Sequence, residues 1–126
     1  MPDQEDRFAR GMAVYREVYG DEMVAQPKGE SAFFDVMIEQ LFAEVWARPG
    51  LTVPMRRLLA MGVLAAQHRF DVLAIQFERG LVTGEFTAEQ VREMVIFLVA
   101  YVGYPASGDL RRVSEQAIAR AEAAGA

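Results

Sequence analysis

The stretch Thr87-Ala-Glu-Gln90-Val-Arg-Glu-Met94-Val-Ile-Phe-Leu-Val-Ala-Tyr-Val102 decides the fold class. Its second half is apolar on every side, and periodicity alone does not separate a buried helix from a buried strand there. Its first half does. Thr87 followed three residues later by Gln90 is a capping box, in which each end satisfies a free N–H of the other. A helix therefore starts at Thr87 and carries the apolar run. A helix that is apolar all round has to be covered all round. The sequence thus places this element in the core, with a partner subunit covering part of it.

Working outward, the segments on either side also carry helical period. Before Thr87, residues 70–82 place Phe70, Leu73, Ala74, Phe77 and Leu81 on one face, a second stripe carries Arg69, Val72, Gln76 and Arg79, and Gly84 marks the end. Thr52 caps a helix with Pro54 in its first turn, where a missing N–H does no harm. Leu58, Met61, Leu64 and Ala65 form its core side. Ser31 caps a further helix with the stripe Phe34, Met37, Ile38, Leu41, Phe42 and Val45, stopped by Arg48-Pro49-Gly50. The first helix runs from about Gln4 to Tyr19, with Asp3 as its cap and Phe8, Met12, Tyr15 and Tyr19 inward. After Val102, Gly103-Tyr-Pro-Ala-Ser-Gly108 is a sharp connection. The last helix, about Asp109 to Ala123, is polar and is expected on the outside. The expectation is a single all-α domain over residues 1–126, with about six helices.

Composition narrows the function. The net charge is -5 and the arginines are scattered, whereas a nucleic-acid binder shows a basic face. Nothing favours an anionic membrane surface, and the run Met94 to Val102 is too short to span a bilayer. A cytoplasmic location is expected, because the polar, acidic start lacks the basic and apolar run of a signal peptide. There is no cysteine, so disulfides and thiol nucleophiles are excluded. With one histidine, His68, a first-row metal site is not expected, and no cofactor is called for. Just over half of the residues are apolar, a surplus that a subunit interface would absorb.

Three segments resemble the carboxymuconolactone decarboxylase family. Trp46-Ala-Arg-Pro-Gly-Leu51 followed by Pro54-Met-Arg-Arg-Leu-Leu59 is similar to the family's entry into its central helical hairpin. Phe77 through Gly84, leading to Thr87-Ala-Glu-Gln-Val-Arg-Glu93, resembles its helix–Gly–Thr passage. Ala100-Tyr-Val-Gly-Tyr-Pro-Ala106 is similar to its Y-x-G-x-P-A turn. The resemblance covers roughly Val45 to Leu110. It implies an oligomeric, AhpD-like helical bundle with a central helical hairpin, a homotrimer or homohexamer, and small-molecule pockets at helix and subunit boundaries. The family's redox branch uses a C-x-x-C pair with a histidine and a glutamate. Those positions fall here on Arg57, Arg69, Val72 and Gln76, so a thiol peroxidase is excluded, because peroxide reduction needs a thiolate. The decarboxylase branch places a histidine where Gln76 stands, and often a histidine or glutamine where Phe97 stands.

Decarboxylation of a lactone acid needs an anion holder, a stabiliser for the developing enolate and a proton donor. Arg48, Arg56 and Arg69 are candidate anion holders, because a guanidinium binds carboxylate bidentately. Their structural alternative is surface pairing with Glu44, Glu39 or Asp71. His68 is a candidate acid or base, with a helix C-terminal role as its alternative. Glu39 and Glu44 are candidate general acids if buried, and otherwise belong to a solvated face. Gln76 and Tyr101 are candidate substrate-binding groups; Tyr101 has interface packing as its alternative. The reading is a lyase (decarboxylase) or isomerase acting on a small, anionic lactone or ring acid. Its alternative is a non-catalytic small-molecule-binding member of the same fold. A pocket with two or more convergent ionisable groups and a perturbed pKa would favour the first, and an apolar cavity lined by Phe, Met and Val alone would favour the second.

Overall fold

The computed structural model describes residues 4–23 and 25–125. The cap expected at Asp3 lies outside them. The described residues form six helices and no strand. No helix among them is long and apolar enough to cross a membrane. The chain forms two compact units, Met1–Val53 and Pro54–Ala126.

In the first unit, α1 (Gln4–Tyr19) packs on α2 (residues 32–46). Ser31 caps α2, its side chain accepting from the Phe34 N–H at 3.2 Å. Only Ala32–Val36 is α-helical, and Met37–Trp46 continues as a π-helix. This changes which face is buried. Turns closed by i→i+5 bonds hold more residues than the ~3.6 of an α-helix. Every fourth residue then lines up, and Phe34, Ile38 and Phe42 are buried while Leu41 and Val45 are 40% and 49% exposed. The expected α-period stripe had placed those two inward. The core is aromatic: Tyr15 meets Phe34 and Phe42 edge-on at 5.8 and 5.1 Å between ring centroids, and Trp46 stacks on Phe42. Burial pushes the Tyr15 hydroxyl above its usual pKa.

The second unit holds most of α3 (Val53–Ala66), together with α4 (Phe70–Val82), α5 (Ala88–Val102) and α6 (Ser107–Ala123). Both halves of the capping box form, with Thr87 N–H donating to Gln90 Oε1 at 2.8 Å and Gln90 N–H donating to Thr87 Oγ1 at 3.1 Å. A short 3₁₀ turn, Tyr104–Ala106, joins α5 to α6.

One expectation about layering does not hold, and the cover expected over all of α5 is supplied only in part by this chain. The α6 helix is not an outer layer: Leu110, Val113, Ala117, Ile118 and Ala121 are buried, and its main partner is α4. Its polar residues fill one face and its small residues let the other approach closely. The α5 helix is covered on one side only. Val91 and Val99 are buried, while Ile96, Phe97 and Tyr101 are 66%, 63% and 80% exposed.

Two helix ends shape the site. Both close with the double backbone hydrogen bond that follows a left-handed residue. In α4 that residue is Gly84 (φ 76°), and Glu85 N–H donates to Gly80 O at 2.9 Å. In α3 it is His68 (φ 58°), and Arg69 N–H donates to Leu64 O at 2.8 Å.

Candidate functional site

A groove of about 530 Å³ opens on the second unit, within the size range of small-molecule sites. Apolar side chains form its walls: Pro54, Leu58 and Met61 from α3, Phe86 from the α4–α5 loop, and Met94, Phe97 and Leu98 from α5. Leu58, predicted to face the core, is 47% exposed because it faces this groove. Three polar side chains join them, Glu85, Gln90 and Glu93.

Glu85 is fixed from behind. Arg57 is fully buried on the α3 stripe Arg57, Met61 and Ala65. Its guanidinium grips the Glu85 carboxylate bidentately, Nε to Oε1 at 2.7 Å and Nη2 to Oε2 at 3.0 Å. Arg57 Nη1 donates to Gln76 Oε1 at 2.6 Å, and the Thr83 hydroxyl donates to Glu85 Oε2 at 2.9 Å. The network ties α3, α4 and the loop after Gly84 together. A buried charge is tolerable only when it is paired and hydrogen-bonded, as here.

Glycine sets the rest of the wall. A Cβ on Gly80 would overlap the Phe86 ring. The bare α4 backbone therefore lets Phe86 pack in, 7% exposed, beside Glu85. Gln90 is oriented by the capping box: its Oε1 is held by Thr87 N–H, which leaves its NH₂ group without a partner among the described residues.

Of the sequence-predicted residues, only Gln76 belongs to this network. In the first unit, Glu39 and Glu44 answer separate cations. The Glu39 carboxylate lies 3.2 Å from Lys28 Nζ, and exposed Glu44 pairs with Arg7 at 3.2 Å. Arg48 is exposed beyond the end of α2. In the second unit Arg56 is half-buried on α3. Arg69 is exposed and bidentate on Asp71, at 3.2 Å for both bonds. That hydrogen bond, followed by one from the Val72 backbone, holds the Asp71 carboxyl below its usual range. His68 is exposed in its left-handed turn and stacks on Phe70 at 5.3 Å. Tyr101 is exposed and contacts Phe97 at 5.1 Å. None of these lines the groove.

Sequence reasoning gave no functional role to Arg57, Glu85 or Glu93, and read Gln90 only as a cap. The signal for Arg57 was its spacing of four and eight from Met61 and Ala65, which puts an arginine on a core stripe. The signal for Glu85 was its place straight after the helix-ending Gly84.

The sequence profile of the carboxymuconolactone decarboxylase family matches residues 31–116, more than half of the chain. The chain belongs to this family. Among its relatives, the 4-carboxymuconolactone decarboxylase of Acinetobacter baylyi is 28% identical over 119 residues, 90% of this chain and 88% of that protein. The nitrosuccinic acid decarboxylase of Metarhizium robertsii is 28% identical over 116 residues, 88% of this chain and 80% of that protein. No solved structure matches significantly. Within the family, the two positions where the resemblance expects ionisable residues carry Gln76 and Phe97 here. Gln76 is buried beneath Arg57, and Phe97 lines the groove.

Proposed function

We propose that this protein is a cofactor-independent decarboxylase of small carboxylic acids, with the groove of the second unit as its substrate site. One observation carries the reading. An apolar groove gathers a fixed carboxylate (Glu85), a solvent-exposed amide NH₂ oriented by the capping box (Gln90) and a second carboxyl (Glu93). Ionisable and hydrogen-bonding side chains converging on one apolar groove supply the groups that turnover needs. The two decarboxylases among its relatives agree.

The chemistry needs few parts. The bond between the carboxylate carbon and its neighbour breaks, carbon dioxide leaves, and the electron pair moves into an adjacent acceptor group. The Gln90 NH₂ donates to the oxygen that gains charge. The Glu93 carboxyl gives its proton to the carbon and recovers one from water. Glu85, already held as a carboxylate by Arg57, orients the substrate.

The family match runs through both units, which supports one family domain. The exposed apolar side chains of α5, together with Leu59 at 63% exposure, support a homotrimer or homohexamer. A light-scattering mass of one subunit would refute that assembly. The alternative, a binding member without turnover, is favoured by Phe97 in the groove, where a proton-transfer group would otherwise stand.

The test is carbon dioxide release from a panel of unsaturated lactone acids, β-keto acids and nitro acids. Glu93→Gln should lower kcat by about 10²–10⁴-fold with little change in KM. His68→Ala runs alongside. Loss of turnover in His68→Ala with Glu93→Gln unaffected would move the chemistry to the α3–α4 turn. No release from any acid would favour the binding reading.

A further inference from the structure

Gly62 lies inside α3 (Val53–Ala66), where glycine is the poorest helix former after proline. The two ordinary reasons for a glycine are both absent. Its φ is not positive, unlike that of Gly84. A Cβ placed on it meets nothing within 4 Å among the described residues, whereas one on Gly11 would overlap Ile38 and one on Gly80 would overlap Phe86. Neither backbone conformation nor packing within the chain therefore calls for a glycine at this position.

What the position does face is the groove. Pro54, Leu58 and Gly62 all line it and follow one another at intervals of four, one per turn on the same side of α3. The wall thus presents a ring, then a branched side chain, then bare backbone. Leu59 and Val63, 63% and 54% exposed, do not line the groove. The space beside Gly62 belongs to the groove rather than to the exposed face of α3. A side chain there would strengthen the helix and narrow the groove together. An apolar notch left open has no partner atoms on one side, and a ligand bulky enough to fill it gains contacts that a smaller one does not.

We propose that Gly62 is the size-determining residue of the groove: the substrate carries a bulky apolar body, part of which packs against the bare turn of α3. This rests on the groove being the substrate site but not on turnover.

The experiment compares phenol with 2-naphthol, which share one hydroxyl, are uncharged at neutral pH and differ in bulk. Methyl NMR of Met94 and Leu98 in the full chain locates and titrates each probe. Gly62→Leu should weaken 2-naphthol by about tenfold or more and phenol far less. Gly62→Ala should weaken 2-naphthol by a smaller factor while raising the urea midpoint, because alanine is the better helix former. If Gly62→Leu does not fold, Gly62→Ala carries the test. Binding of both probes in the groove with unchanged affinity in the variants would overturn the proposal and leave the groove as the ligand site. Shifts of neither methyl with either probe would overturn the groove reading and the proposal with it. A lower light-scattering mass for Gly62→Ala, with 2-naphthol binding unchanged, would overturn the proposal by assigning the glycine to contact between copies of the chain.

Discussion

Removing Glu85 alone should cost far more than removing Arg57 and Glu85 together. Arg57 is fully buried, so water cannot replace its lost partner, whereas Glu85 is 11% exposed and lines the groove. In Glu85→Gln the guanidinium loses its counter-charge but keeps its place under α4. Breaking a buried pair in this way costs about 3–5 kcal/mol. In Arg57→Met the Glu85 carboxylate can turn into the open groove, but Gln76 Oε1 loses its donor, a desolvation penalty of about 1–3 kcal/mol. In Arg57→Met/Glu85→Gln no buried charge remains, and the double variant should lie well above the sum of the singles. The interaction energy from the four-member cycle should be at least about 2 kcal/mol. Urea unfolding followed by circular dichroism measures it, provided the slope stays constant across the four proteins. Additive effects would mean that the pair is solvated in solution, and the argument that Glu85 is fixed would fail.

Three further outcomes follow from local geometry. Gly80→Ala should destabilise by about 1–3 kcal/mol despite a helix-propensity gain of about 1 kcal/mol, because the new methyl displaces Phe86; unchanged urea unfolding would contradict that packing. Gly84→Ala and His68→Gly should have opposite signs. Both sites are left-handed and the space around Gly84 is empty, so the first should cost about 1–2 kcal/mol of backbone strain and the second should gain up to about 1 kcal/mol; thermal melts of the two variants, moving the same way, would refute the shared cause. The Asp71 carboxyl, held low by Arg69, contributes stability that is present above its unfolded pKa and is lost as pH falls through its folded pKa. A carbon-detected NMR titration should show it titrating below ordinary aspartate, and rising toward that value in Arg69→Gln; no rise would remove Arg69 as the cause.

Much of the fold was legible in the chain because its signals are local. Ser31, the Thr87–Gln90 box and the period of Phe70 to Leu81 act within a few residues, so the α4 bounds and the caps of α2 and α5 came directly from the sequence. The α2 stripe misled because its π turns widen the period, and hydropathy carries no mark of that. The α6 helix read as a surface layer because its alanines count little toward an apolar stripe, yet small side chains are what let it pack tightly on α4. The candidate site was less legible. His68 and the arginines drew attention by chemical type alone, and the folded chain put most of them in solvent or in surface pairs.

What the sequence determined by itself was helix, the absence of thiol chemistry and the family. Those depend on residue identity and short spacing. The tertiary structure alone decided that Arg57 faces inward, that Glu85 is its partner across 28 residues, and that Gln76 sits beneath them rather than at a substrate. A buried charge in a core stripe has no meaning until its counter-charge is placed. That placement depends on where Gly84 turns the chain after α4, which no periodicity records.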